Sequence, residues 1–237
     1  MAGRNPIREA LKSGRSFEKL LVSDAELTGS AREILALARE RGVVVQYVDR
    51  RRLDALYPNH QGMIGYVSAA EYSSVEDIFD LAGERGEDPF IVILDGVTDP
   101  HNLGAIARTA ECIGAHGIII PYRRSVGLTP SAVKASAGAF NYIKVAREVN
   151  LNRAIEQLKS RGVWVTGCVM DGQPLDSCNL KGPMALVIGA EEDGISRLVR
   201  NNCDQLATIP MTGHISSFNA SVAAGIMLYE IARARRS

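Results

Sequence analysis

Five short apolar runs, at residues 90–94, 117–120, 163–168, 185–188 and 206–209, constrain this chain more than any other feature of it. Each is apolar at nearly every position rather than at alternate ones, which suits a strand buried on both faces. Stretches of helical spacing separate or follow them at 102–114, 130–137, 152–160, 194–201 and 219–235. Strands alternating with helices imply an α/β domain built on a parallel sheet with helices on both sides. In an open sheet of that kind ligands bind beyond the carboxyl ends of the strands, so chemistry is expected in the segments that follow each run.

The first seventy residues read as a smaller α/β unit. A helix at 6–13 leads to a strand at 19–22, and a second helix spans 31–40, where Ile34, Leu35 and Ala38 keep one face apolar. Gly42 stops that helix, and strands follow at 43–48 and 62–68. Residues 71–89 are acidic, polar and punctuated by glycine, and read as a short helix plus linker. The expected organisation is therefore 1–70, a linker at 71–89, and the larger domain at 90–237.

Composition excludes more than it selects. No apolar run approaches the roughly 18–20 residues of a membrane span, and the charged N-terminus lacks a signal peptide's apolar core, so a cytoplasmic protein is expected. The four cysteines form no CxxC pair and the four histidines no HxxxH, so neither a disulfide frame nor a metal site is expected. Net charge is zero, but basic residues cluster at Arg4/Arg8/Lys12/Arg15/Lys19, Arg50–Arg52, Arg123–Arg124 and Arg233/Arg235/Arg236. Such clusters are patches for phosphate or merely solvated helix faces, and composition leaves that choice open.

Three segments after strands carry unusual residues. In the first, Asp99 or Asn102 suits a helix cap, while Gly104 in the first turn costs up to about 1 kcal/mol against alanine and calls for a reason such as a close substrate approach. Arg108 and Glu111 follow on that helix. The second, Gly189 to Gly194, is a glycine-bounded turn holding Glu191, Glu192 and Asp193. It lacks the lysine of a P-loop and the G-x-G-x-x-G of a dinucleotide site, and three carboxylates would repel a pyrophosphate. The third, residues 209–221, is a polar loop entering a long helix, with Ser216, Ser217, Asn219 and Ser221 crowded where one cap would suffice.

These segments, in this order, resemble the three motifs of the SpoU/TrmH family of SPOUT methyltransferases. N-x-G-x-x-x-R is matched by Asn102, Gly104 and Arg108, and I-G-x-E-x-x-G by Ile188, Gly189, Glu191 and Gly194. I-P-M-x-G-x-x-x-S-L-N-x-S is matched by Ile209, Pro210, Met211, Gly213, Ser217, Phe218, Asn219 and Ser221, with Phe218 and Ala220 replacing the usual leucine and valine. Ser136–Ala139, residues 3–11 and His60–Gly62 extend the similarity over the whole chain, most closely to the family's 23S rRNA guanosine-specific members. The resemblance implies an L30e-like N-terminal RNA-binding domain, a knotted C-terminal domain with a deep trefoil knot, a homodimer, an RNA rather than DNA partner, and no metal. It implies S-adenosylmethionine bound by Gly189, Ile209, Met211 and Phe218, and a catalytic group of Asn102, Arg108, Glu191, Ser217 and Asn219.

The expected reaction is methylation of a ribose 2′-hydroxyl in 23S rRNA. Arginine in water keeps its proton to above about pH 12, so Arg108 reads as a group that holds a phosphate and orients the hydroxyl, with Glu191 positioning it, rather than as a base. The alternatives are the same chemistry on tRNA, a resistance-conferring rRNA methyltransferase, and a non-catalytic ribosome-assembly protein.

Overall fold

The computed structural model describes residues 1–24, 29–214 and 217–236, and they divide into two compact units, Met1–Glu71 and Tyr72–Ser237. In the first unit α1 (Arg4–Lys12) forms because Ile7, Ala10 and Leu11 share one face, and all three are buried. It is followed by β1 (Phe17–Ser23), α2 (Gly29–Glu40), β2 (Val45–Val48), α3 (Arg50–Leu56) and β3 (Met63–Val67). The sheet order is β2-β1-β3, with β1 parallel to β2 and antiparallel to β3. Ile7, Leu11, Leu20, Val22, Ile34, Leu35 and Met63 fill the core.

The sequence pattern does not anticipate α3, because only Leu53 is buried and no apolar stripe exists to read. Asp49 starts it by accepting from the Arg51 amide at 2.7 Å, so the Arg50–Arg52 cluster is the first turn of a helix.

The second unit runs α4 (Val75–Arg85), β4 (Phe90–Asp95), α5 (Pro100–Cys112), β5 (Gly117–Pro121), α6 (Pro130–Ala135), β6 (Lys144–Glu148), α7 (Leu151–Ser160), β7 (Trp164–Pro174), β8 (Met184–Gly189), α8 (Arg197–Asn202), β9 (Gln205–Thr208) and α9 (Ala220–Arg235). Its six strands are parallel in the order β6-β5-β4-β8-β7-β9. The five apolar runs are β4, β5, β7, β8 and β9. β6 escapes the apolar criterion because its sequence, Lys-Val-Ala-Arg-Glu, is charged at three of five positions, with only Val145 and Ala146 buried.

The linker expected at 71–89 is instead part of this unit. A Ser74–Asp77 capping box opens α4, Gly86 in the left-handed region closes it, and Ile78 is wholly buried among Ile91, Ile93 and Ile119. Gly117 makes room for it, since a Cβ there would lie 2.4 Å from Ile78 Cγ1.

His116 ties the start of β4 to the segment before it. Its ring is fully buried, Nδ1 accepts from the Phe90 amide at 3.0 Å, and Nε2 therefore carries the proton toward Glu87 Oε2 at 3.0 Å. Burial lowers its pKa below the usual 6.5, a shift that the hydrogen bond and charge of Glu87 oppose. A lowered histidine pKa gives stability that is complete above about pH 6.5 and is lost as pH falls toward the folded-state value. His116→Asn keeps an acceptor for Phe90 without titrating. Denaturant unfolding should therefore show wild type losing stability more steeply than this variant between about pH 7 and 5; parallel curves would contradict the assignment.

Candidate functional site

The segments after β4, β8 and β9 meet at one carboxylate oxygen. Asn102, buried in the first turn of α5, donates from Nδ2 to Glu191 Oε1 at 3.1 Å. Asn219 Nδ2 donates to the same oxygen at 2.5 Å and to Asn102 Oδ1 at 3.0 Å, and the Ala220 amide adds a contact at 3.4 Å. Asn219 Oδ1 meanwhile caps α9, accepting from Ser221 N at 3.0 Å and Val222 N at 3.4 Å. The cap explains one polar residue of the loop, and the bond to Glu191 explains why it is an asparagine, since serine or aspartate would cap without donating an amide proton.

Glu191 stands on a turn that only glycine can form. A Cβ at Gly189 would sit 2.1 Å from the Gly194 carbonyl carbon and 2.3 Å from Ile195 N. Ala190 and Gly194 exchange backbone hydrogen bonds of 3.0 and 2.9 Å across the turn, with Gly194 in the left-handed region at φ 64°.

A cavity of about 420 Å³ opens over the ends of β7, β8 and β9. Ile188, Gly189, Ile209, Met211, Phe218 and Ala223 give it apolar walls, while the Glu191–Asp193 turn supplies carboxylates and Asp171 is paired with Arg200. Gly189, Ile209, Met211 and Phe218, the four residues expected to hold the cofactor, all line it, as do Glu191 and Ser217. Ile215 and Ser216 lie outside the described residues. This donor set suits a ligand with an apolar ring system and a cationic centre, the chemistry of S-adenosylmethionine, and the volume is that of an ordinary cofactor pocket. Among the described residues no group of three or more His, Cys, Asp or Glu is placed to hold a metal.

Two expectations change. Gly104 answers to helix packing and not to substrate approach: its Cβ would lie 2.5 Å from Ala135 Cβ and 2.6 Å from the Ala132 carbonyl, where α5 crosses α6. Arg108 does not meet Glu191. Six residues beyond Asn102 on α5 it points to a different helix face, is exposed, and has no hydrogen-bond or ion-pair partner among the described residues.

The C-terminal basic cluster is also reinterpreted, because Arg235 is committed to the backbone. Its guanidinium donates to the carbonyls of Asp88, Pro89 and Gly182. Arg233 pairs with Glu230.

A parallel α/β sheet with a cofactor-sized cavity at its carboxyl edge, bordered by a network of two amides and a carboxylate, is the architecture of an α/β protein that binds a ligand beyond its strand ends. Residues 89–229 match the SpoU rRNA methylase family, and residues 2–73 match the RNA 2′-O ribose methyltransferase substrate-binding domain. A Bacillus subtilis protein assigned to the TrmH family of tRNA/rRNA methyltransferases is 47% identical over 236 residues, covering 98% of this chain and 94% of its own.

Among solved structures, the SpoU methyltransferase AviRb of Streptomyces viridochromogenes with bound AdoMet aligns at TM-score 0.62 and 28% identity, covering 98% of this chain and 88% of its own. An AdoMet-bound rRNA methyltransferase from Sinorhizobium meliloti gives the same TM-score and identity over 98% of this chain and 86% of its own. A TrmH/SpoU tRNA-modifying enzyme of A. aeolicus, at TM-score 0.59 and 26% identity, covers 63% of this chain and 77% of its own.

The chain belongs to the SpoU/TrmH family. It is an S-adenosylmethionine-dependent RNA ribose 2′-O-methyltransferase, and family membership implies a deep trefoil knot at the C-terminus.

Because the glycine turn fixes both the cavity wall and Glu191, Gly189→Ala should cut S-adenosylmethionine affinity by about 100-fold or more, as loss of a close-packed cradle does. Titration calorimetry, with circular dichroism to verify the fold, measures this. Unchanged affinity would show that the turn does not shape the cavity.

Proposed function

We propose that this enzyme methylates the 2′-hydroxyl of a guanosine in 23S rRNA, working in the cytoplasm as a homodimer. The observation that carries the rRNA reading is the first unit. The S. meliloti rRNA methyltransferase covers nearly the whole chain, units one and two alike, whereas the A. aeolicus tRNA-modifying enzyme covers less than two-thirds of it. The first unit serves as the RNA-docking module, with the exposed Arg50–Arg52 turn of α3 as a patch for backbone phosphates.

The homodimer reading rests on α9. One side of this helix is buried through Ala224, Met227, Leu228 and Ile231. Val222 and Tyr229, seven residues apart on the other side, remain exposed, so the helix is apolar on every side over residues 222–229. Gly225 lies between them and its Cβ would be 3.8 Å from Thr109 Cγ2, so α5 and α9 meet next to Arg108. A second copy seated on this face gives the unpartnered guanidinium a role across the interface, holding a phosphate of the substrate in its neighbour's site.

Bound S-adenosylmethionine supplies an electrophilic methyl carbon on a sulfonium. The task of the protein is to hold the ribose oxygen about 3 Å from that carbon and in line with the breaking C–S bond. Asn102, Glu191 and Asn219 form the fixed wall against which the ribose is placed, and Ser217 borders the cofactor side. The Glu191 turn also brings negative charge to the cavity that takes the sulfonium.

The test is methylation of full-length 23S rRNA and of pooled tRNA by purified protein and labelled S-adenosylmethionine, with ribose-methylation mapping of the products. One 23S guanosine should acquire the mark. Arg108→Ala should lower that activity by about 100-fold or more, as removing one charge-stabilising donor does, while cofactor affinity stays within about threefold. A mark confined to tRNA would overturn the rRNA assignment, and no mark on either RNA would leave a non-catalytic assembly role. Equal loss of cofactor affinity in the Arg108 variant would refute the role given to that residue.

A further inference from the structure

A second cleft, of about 610 Å³, lies on the opposite side of the Glu191 turn from the cofactor cavity, over the ends of β4, β5 and β6. The two share one wall, Ala190–Gly194 with Ala220. Glu191 of the amide–carboxylate network lines both cavities and Asn102 only the second cleft, while Ser217 lines only the cofactor side. We infer that the second cleft receives the acceptor nucleotide, unstacked from the RNA, with its phosphates at Arg123 and Arg124 and a guanine edge at Asp95. This inference rests on the RNA-methylation reading above and specifies where and how that substrate is held.

The charges of the cleft are sorted in a way that orients such a guest. Arg123 and Arg124, in the loop between β5 and α6, are exposed, line the cleft, and have no hydrogen-bond or ion-pair partner among the described residues. Arg124 is held in the left-handed region at φ 57°, a conformation that costs a side-chain-bearing residue energy and that concentrates at binding sites. The opposite side carries Asp95, Asp99 and the Glu191–Asp193 turn, which would repel phosphate. A nucleotide therefore enters with its phosphates on the arginine side and its ribose toward Asn102 and Glu191. The exposed Val149 and neighbouring Pro121 give the cleft apolar surface for a base face.

Two of these carboxylates are already committed. Asp99 caps α5 by accepting from the His101 amide at 3.0 Å, and Glu191 accepts the two asparagines. Asp95, the last residue of β4 and the register partner of Gly189, is the half-buried carboxylate left available. Its Oδ2 accepts from Ser196 N at 2.7 Å, and Oδ1 has no partner among the described residues. Guanine offers N1–H and N2–H donors on its Watson–Crick edge, where adenine offers a bare N1, so a carboxylate here favours guanosine.

The experiment compares wild type, Arg123→Ala/Arg124→Ala and Asp95→Asn on full-length 23S rRNA and on the same transcript with the methylated guanosine replaced by adenosine. The arginine variant should raise KM for RNA by about tenfold or more with kcat nearly unchanged. The salt dependence of its KM should weaken by about one to two units of log–log slope, as losing two phosphate contacts does. The Asp95 variant should lose guanosine-over-adenosine discrimination by about tenfold, as replacing an acceptor-only group with an amide does. Cofactor affinity, read by calorimetry, should be unchanged in both. Weakened cofactor binding with unaltered RNA parameters would make the cleft part of the cofactor site and overturn the inference, as would unaltered KM, salt slope and discrimination. Wild type that methylates no RNA would overturn the functional reading itself, and this inference with it.

Discussion

Glu191 Oε1 accepts hydrogen bonds from Asn102, Asn219 and the Ala220 amide, and in doing so joins three segments separated by 89 and 28 residues of chain. Asn102 is buried, so without this partner its amide would be unsatisfied at a cost of about 1–3 kcal/mol. Asn219 is both the cap of α9 and a donor to Glu191, so the entry angle of the last helix and the position of the turn after β8 are one constraint. The carboxylate can stand there because Gly189 and Gly194 close the turn beneath it.

The rest of the site follows from sheet order. β4 and β8 are neighbours in register, Asp95 beside Gly189, so the segments after them are forced together at the carboxyl edge. The cofactor cavity lies on the β7 and β9 side of this junction, and the second cleft on the β5 and β6 side. One thin turn separates them.

The sequence revealed these features unevenly, for physical reasons. The strands at the centre of the sheet were legible because burial on both faces demands unbroken apolar runs, and Gly189, Ile209, Met211 and Phe218, named by the second and third motifs, line one cavity. Edge strand β6 and helix α3 were not, because each buries one or two residues and leaves no periodic trace. The membership of α4 in the second unit rests on Ile78 entering a gap left by Gly117, a contact between residues 39 apart. Gly104 was noticed but misattributed, since a helix crossing and a substrate approach demand the same missing Cβ. Arg108 was placed beside Glu191 by motif logic, whereas helical geometry turns it away within its own chain. Composition left Arg235 open between a phosphate patch and a solvated helix end, and its three carbonyl partners make it neither.

The central claim is that Asn102 and Asn219 act as one unit through Glu191, and a double-mutant cycle measures it. Asn102→Ala removes one donor, and Asn219→Ser removes the other while retaining a side chain that caps α9. Cofactor affinity and unfolding free energy would be determined for wild type, both single variants and the double variant. The account predicts a coupling of about 0.5–3 kcal/mol, the range for residues sharing one hydrogen-bond network, with the double variant little worse than either single one. Losses that add to within about 0.3–0.5 kcal/mol would contradict it and would reduce the network to two independent local contacts.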